Sequence, residues 1–144
     1  MKRLILTVLI IVLALTTWAQ AGEILTASID TGPFNCNDEM QDFIWINDTG
    51  KSIKIKSVTV WIGAQAGTKA DILACVFTDT TMLLCVGWDR YANPTGLHQI
   101  DKSFGADWVT VPAGSVVRLQ SFCHGFNGKT KKAHACTDIY YIIK

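Results

Sequence analysis

Apolar residues recur at a period of two almost everywhere after residue 42, and no stretch of about 11 residues carries them at helical spacing. The pattern predicts strands over residues 24–29, 43–46, 52–62, 71–77, 82–88, 108–111, 115–122 and 133–143, all rich in β-branched and aromatic side chains. Turn chemistry separates them: Asn47-Asp48-Thr49-Gly50, Thr78-Asp79-Thr80, Asn93-Pro94-Thr95-Gly96 and Pro112-Ala113-Gly114. About eight short strands at this spacing predict an all-β fold, a two-sheet antiparallel β-sandwich of the jelly-roll or immunoglobulin-like kind.

Three local departures refine that pattern. Ile53 and Ile55 share one phase and Val58, Val60 and Ile62 the other, so a β-bulge or a bend between sheets is expected at Lys56-Ser57. Residues 71–88 are apolar on both faces, as central strands covered on each side should be. Residues 37–42 combine Asn37, an N-cap type, with Asp38 and Glu39, and predict a single helical turn.

The chain start is different in kind. Lys2 and Arg3 precede an apolar run over residues 4–15, and Ala19-Gln20-Ala21 follows, which is the layout of a cleavable secretory signal over residues 1–21. The run is shorter than the roughly 20 residues a membrane-crossing helix needs. The remaining residues 22–144 have the length of a single sandwich domain, with no membrane span expected after cleavage and a secreted, periplasmic or extracellular location. Loss of Lys2 and Arg3 leaves 11 basic residues against 12 acidic, so the formal net charge moves from +1 to −1. That balance gives no footing to nucleic acid as a partner.

Export carries all five cysteines into an oxidising compartment. Cys75 and Cys85 are equidistant from Thr80, and Cys123 and Cys136 flank the middle of the 125–132 loop. Directly opposed cysteines of a hairpin can be bridged, so the expected disulfides are Cys75–Cys85 and Cys123–Cys136, with Cys36 left over.

The segment Trp88-Asp89-Arg90-Tyr91 gathers two aromatics, a carboxylate and a guanidinium at a strand exit, the ingredients of a glycan site. Trp45, Trp61 and Trp108 read as core or sheet-face residues. Cys123-His124 and His134-Ala135-Cys136 suggest a zinc site only superficially, since neighbours on a strand point to opposite faces. Asp38, Glu39 and Asp42, with Asn35 and Asn37, read as a solvated acidic loop before a calcium site. Gly128-Lys129-Thr130 lacks the upstream glycine of a phosphate loop, and Lys129, Lys131 and Lys132 read as a charged hairpin tip. Asn47-Asp48-Thr49 is an N-glycosylation sequon in a predicted turn.

His98, His124 and His134 are scattered, and neither a G-x-S-x-G nor an H-E-x-x-H motif occurs. The expectation is therefore a non-catalytic protein without cofactor or metal. Its leading reading is a lectin-like or carbohydrate-binding module whose partner is a glycan or another surface protein, with Trp88, Asp89, Arg90 and Tyr91 as ligand loop. The alternative is a structural or assembly protein of the cell exterior, an adhesin, fibre or surface-layer component.

Overall fold

The computed structural model describes residues 22–65, 68–88, 97–126 and 132–144, the side chains of Trp88 and Leu97 excepted. The described strands are β1 (Leu25–Asp30), β2 (Phe34–Asn35), β3 (Gln41–Ile46), β4 (Ile53–Ala64), β5 (Ala70–Thr78), β6 (Met82–Trp88), β7 (Leu97–Ser103), β8 (Val109–Val111), β9 (Val116–Gly125) and β10 (Lys132–Ile143). One sheet runs β1-β10-β4-β7, with β2 added beside β10 and β8 beside β4, and the other runs β3-β9-β5-β6. Among the described residues no helix is long and apolar enough to cross a membrane.

The pairings are nested: β1 takes β10, β3 takes β9, β4 takes β7 and β5 takes β6, all antiparallel. Each pair encloses the next along the chain, like one long hairpin rolled up so that its four strand pairs fall alternately into two sheets. That is the jelly-roll, and it decides between the two sandwich topologies the pattern left open.

The inward sets of the two sheets make the core. Ile53, Ile55, Val58, Val60 and Ile62 of β4 are fully buried and meet Ile72, Val76 and Leu119 of the facing sheet. The phase slip in β4 is a bulge: Tyr140 stands opposite Ser57 and Tyr141 opposite Ile55, which leaves Lys56 as the extra residue. The extra residue returns both runs of apolar side chains to the same interior.

β7 was not expected from the pattern. Its inward positions, opposite Ile62, Val60 and Val58, are His98, Ile100 and Lys102, so polar residues occupy two of three core-side places. Lys102 can lie there because β7 is a sheet edge and its ammonium reaches across to donate to the Leu83 carbonyl of β6 at 2.7 Å. An inward charge on an edge strand also discourages further strand pairing.

The helical turn over residues 37–42 does not form. Asn37 bridges to His124 in an extended pairing, Asp38 takes a positive φ of 67°, and β3 begins at Gln41. The disulfide of Cys36 explains why.

Cys75 and Cys85 stand directly opposite each other on β5 and β6 and are joined. Cys123 is bonded not to Cys136 but to Cys36, and Cys136 carries the free thiol. β9 and β10 are consecutive in sequence yet lie in different sheets, so the hairpin register that would oppose Cys123 and Cys136 does not exist. Cys123 points into the core, where Cys36 approaches it with a Cα separation of 4.4 Å; Cys136 points out of the other sheet. Pinning Cys36 there draws Asn37 against His124 as a strand and forbids the turn.

The sequon is closed by packing. Asn47 is 1% exposed; its amide nitrogen donates to the carbonyls of Lys51, Val111 and Pro112, and its amide oxygen accepts from Thr49. In the folded protein this side chain is a strut between the end of β3 and the β8–β9 turn, out of reach of a glycosyl donor.

Candidate interaction surface

Alternation gives each sheet one inward and one outward set. Their registers place the outward residues of the four-stranded sheet in rows across β3-β9-β5-β6. One row holds Ile44, Arg118, Phe77 and Met82; the next holds Asp42, Gln120, Cys75 and Cys85. Beyond them lie Phe122, Leu73 and Gly87 on one side, and Ile46 with Val116 on the other. Outward positions that an isolated sandwich would give to polar residues are here largely apolar.

Four of these apolar side chains are exposed, while Cys75 is buried and Phe77, Phe122 and Val116 are half-buried. Ile44 is 54% exposed, Ile46 49%, Met82 57% and Leu73 39%. Cys85 is exposed as well and Cys75 is buried, so the Cys75–Cys85 disulfide meets this surface at its β6 end. In the middle sits one ion pair, Arg118 to Asp42 at 2.5 Å, with both side chains about two-fifths exposed. At one end, the imidazole of His124 is bonded to the Asp38 carboxylate and carries Phe126 edge-on at 4.6 Å.

The outward face of the six-stranded sheet is of another kind. Its rows read Asp30, Cys136, Trp61, Gln99, then Ser28, Asp138, Thr59, Asp101, then Thr26, Tyr140, Ser57, Ser103. Its polar groups satisfy one another: Trp61 Nε1 donates to Gln99, whose amide donates to Asp101, and Ser28 donates to Asp138. His134 is bonded to Asp30, whose carboxyl is held below its ordinary range by the Gly32 backbone N–H and then by His134. Burial pushes the Cys136 thiol up, and the nearby charges of Asp30 and Asp138 push it further the same way.

Trp88 ends β6, opposite Ile72, while its side chain and the residues Asp89, Arg90 and Tyr91 lie outside the described residues. The ligand loop read from the sequence therefore has no geometry to describe. Trp45 faces inward, 5.5 Å from the Tyr141 ring. Trp108 is capped by the ammonium groups of Lys54 and Lys56, at 4.9 and 3.4 Å from the ring centroid, and offers no open platform.

Cys123 and His124 project to opposite sides of β9, and Cys123 is consumed in its disulfide. Asp38 and Asp42 have separate basic partners, and Asn35 accepts from Lys132, so the acidic loop is divided among three contacts. Lys129 and Lys131 lie outside the described residues.

The apolar face was not singled out from the sequence as a site, yet its signal was present in residues 71–88, which read as covered on both sides. β5 and β6 are covered on one side only among the described residues.

No sequence family and no curated protein matches the chain. Among solved structures, a chain of tomato aspermy virus superposes with a TM-score of 0.53 at 12% identity, over 84% of this chain and 78% of that one. A protein of the disulfide-linked pili of Bacillus endospore appendages gives 0.43 at 7% identity, over 85% and 91%. The BFDV capsid protein gives 0.43 at 9%, over 85% and 99%. At such identities the likeness speaks to the fold alone.

Proposed function

We propose that the protein is an exported, non-catalytic structural subunit of the cell exterior, which works by assembling through its surface. The observation that carries this reading is the outward face of the four-stranded sheet. It presents bulky apolar side chains where the fold itself has no use for them, and a contiguous exposed patch of this kind marks an interaction surface on a water-soluble domain.

The chemistry around that face supports assembly over small-molecule recognition. Among the described residues the rows form a sheet surface and not a cluster of converging polar groups such as a ligand pocket offers. Two disulfides suit an oxidising compartment, and one of them fixes the register of the two strands that carry Leu73, Phe77 and Met82. A flat, covalently pinned sheet is suited to repeated protein contact.

Sedimentation velocity from micromolar to millimolar concentration tests the reading, on chain exported through an oxidising compartment. Reversible growth in mass with concentration is the expected result. A strictly monomeric protein that binds a saccharide, and loses the binding in Trp88→Ala, would overturn it in favour of a carbohydrate-binding module.

A further inference from the structure

We infer that the outward face of the four-stranded sheet packs against the same face of a second copy of this chain about a two-fold axis, Arg118 of each copy meeting Asp42 of the other. The inference rests on the assembly reading above and names the partner of that surface.

Area favours a sheet-sized partner. The exposed apolar side chains Ile44, Ile46, Leu73 and Met82 are spread over three strands of the face, from one edge of the sheet to the other. A specific protein interface buries on the order of 1,000 Å² or more in total, which calls for a partner as broad as the sheet itself. A single peptide strand or a small ligand would leave much of that field in water.

Charge favours a copy. The centre of the face carries one cation and one anion, Arg118 and Asp42, adjacent and about equally exposed. A polyanion or an anionic lipid surface would select an excess of cations, and this face has none at its centre. A patch whose central charges are one of each sign is complementary to itself when turned by a two-fold, which is the commonest symmetry of homo-oligomers.

Relief points the same way. The row of Ile44, Phe77 and Met82 stands beside the low row of the Cys75–Cys85 disulfide, and Gly87 adds no side chain next to Leu73. Two such faces can stack like the inner faces of a sandwich, about 10 Å apart, with the ridge of one against the trough of the other. An isologous contact closes on itself, so it builds a paired unit and leaves the six-stranded face outermost on both sides.

Sedimentation equilibrium on the full chain tests the arrangement, with thermal unfolding run on every variant to show that it is folded. Wild type should form dimers. Ile44→Lys and Leu73→Lys, on different strands, should each weaken association by at least about 100-fold, since each buries an unpaired charge. Ile143→Lys, an exposed apolar position on the other sheet, should leave the dimer intact.

Arg118→Asp and Asp42→Arg should each be monomeric alone and should form a heterodimer when mixed, because one face becomes wholly acidic and the other wholly basic. No heterodimer on mixing overturns the two-fold arrangement. Association that persists in both lysine variants overturns this face as the contact while leaving the assembly reading in place. A wild type monomeric throughout the concentration range overturns both.

Discussion

The two outward faces of this sandwich obey the same alternation and carry opposite chemistry. On the six-stranded sheet the outward set is Ser28, Asp138, Thr59 and Asp101 in one row, where the Ser28 hydroxyl donates to the Asp138 carboxylate across strands. On the four-stranded sheet the comparable positions are Ile44, Phe77 and Met82 around a single ion pair. The inward sets are alike, since both must fill one core. The difference shows that the core dictates only half of each strand and leaves the chemistry of the other half open.

The comparison depends first on the sandwich staying closed, and the largest effect is expected there. The Cys36–Cys123 bridge joins residues 87 apart within the core, whereas Cys75–Cys85 spans 10. On a chain-entropy estimate, loss of the long bridge costs about 4–5 kcal/mol and loss of the short one about 3. The paired Cys36→Ser and Cys123→Ser variant should therefore show the larger fall in denaturant midpoint. The reverse order would mean that the apolar face, not the core, holds the domain together.

Neighbouring residues of one strand sharpen the contrast. Ile72 is 2% exposed and Leu73 is 39% exposed, one facing the core and the other the apolar outward face. Ile72→Ala should cost about 2–5 kcal/mol of stability. Leu73→Ala should cost within about 0.5 kcal/mol in the monomer and show itself in self-association instead. Chemical unfolding at low concentration, with sedimentation on the same samples, separates the two. Equal loss of stability in both would mean that Leu73 is already covered within its own chain.

Much of the fold could be read from the sequence, because period-two patterning survives wherever a strand sits well inside a sheet. β4, β9 and β10 are of that kind. β7 escaped since an edge strand can put His98 and Lys102 at core-side positions. The Cys75–Cys85 bridge followed from a hairpin whose two strands are neighbours, a local relation. The Cys36–Cys123 bridge depends on which sheet each strand joins, and that is fixed by the whole roll. The outward apolar face lay between these cases: two-faced apolarity over residues 71–88 was visible, but whether the chain covers both faces itself is a matter of tertiary order.

A smaller effect is expected from the polar face. Trp61 contributes its ring to that surface and one hydrogen bond of 2.8 Å to Gln99. A hydrogen bond of this kind contributes about 1 kcal/mol. Trp61→Phe should lower stability by no more than that and leave sedimentation unchanged. A change of association state in this variant would show that both faces take part in assembly.

The smallest effect concerns a rate, and it tests the division of labour between the faces most directly. Cys136 is the free thiol, and it faces outward on the polar sheet between Asp30 and Trp61. Burial and the charges of Asp30 and Asp138 hold its titration above the ordinary range, so at neutral pH it stays protonated and the reactive thiolate is scarce. A raised value means that reactivity is suppressed below the folded titration point and recovers as pH climbs through it. Alkylation by iodoacetamide at neutral pH should thus run severalfold slower in the folded protein than in the protein unfolded in denaturant, with the gap narrowing in alkali. On a non-reducing gel, chain purified without reductant should run as a monomer, because the proposed pairing of apolar faces needs no covalent link. A covalent dimer that disappears in Cys136→Ser would show instead that the polar face joins copies too, and the difference between the faces would then be one of bond type and not of partner.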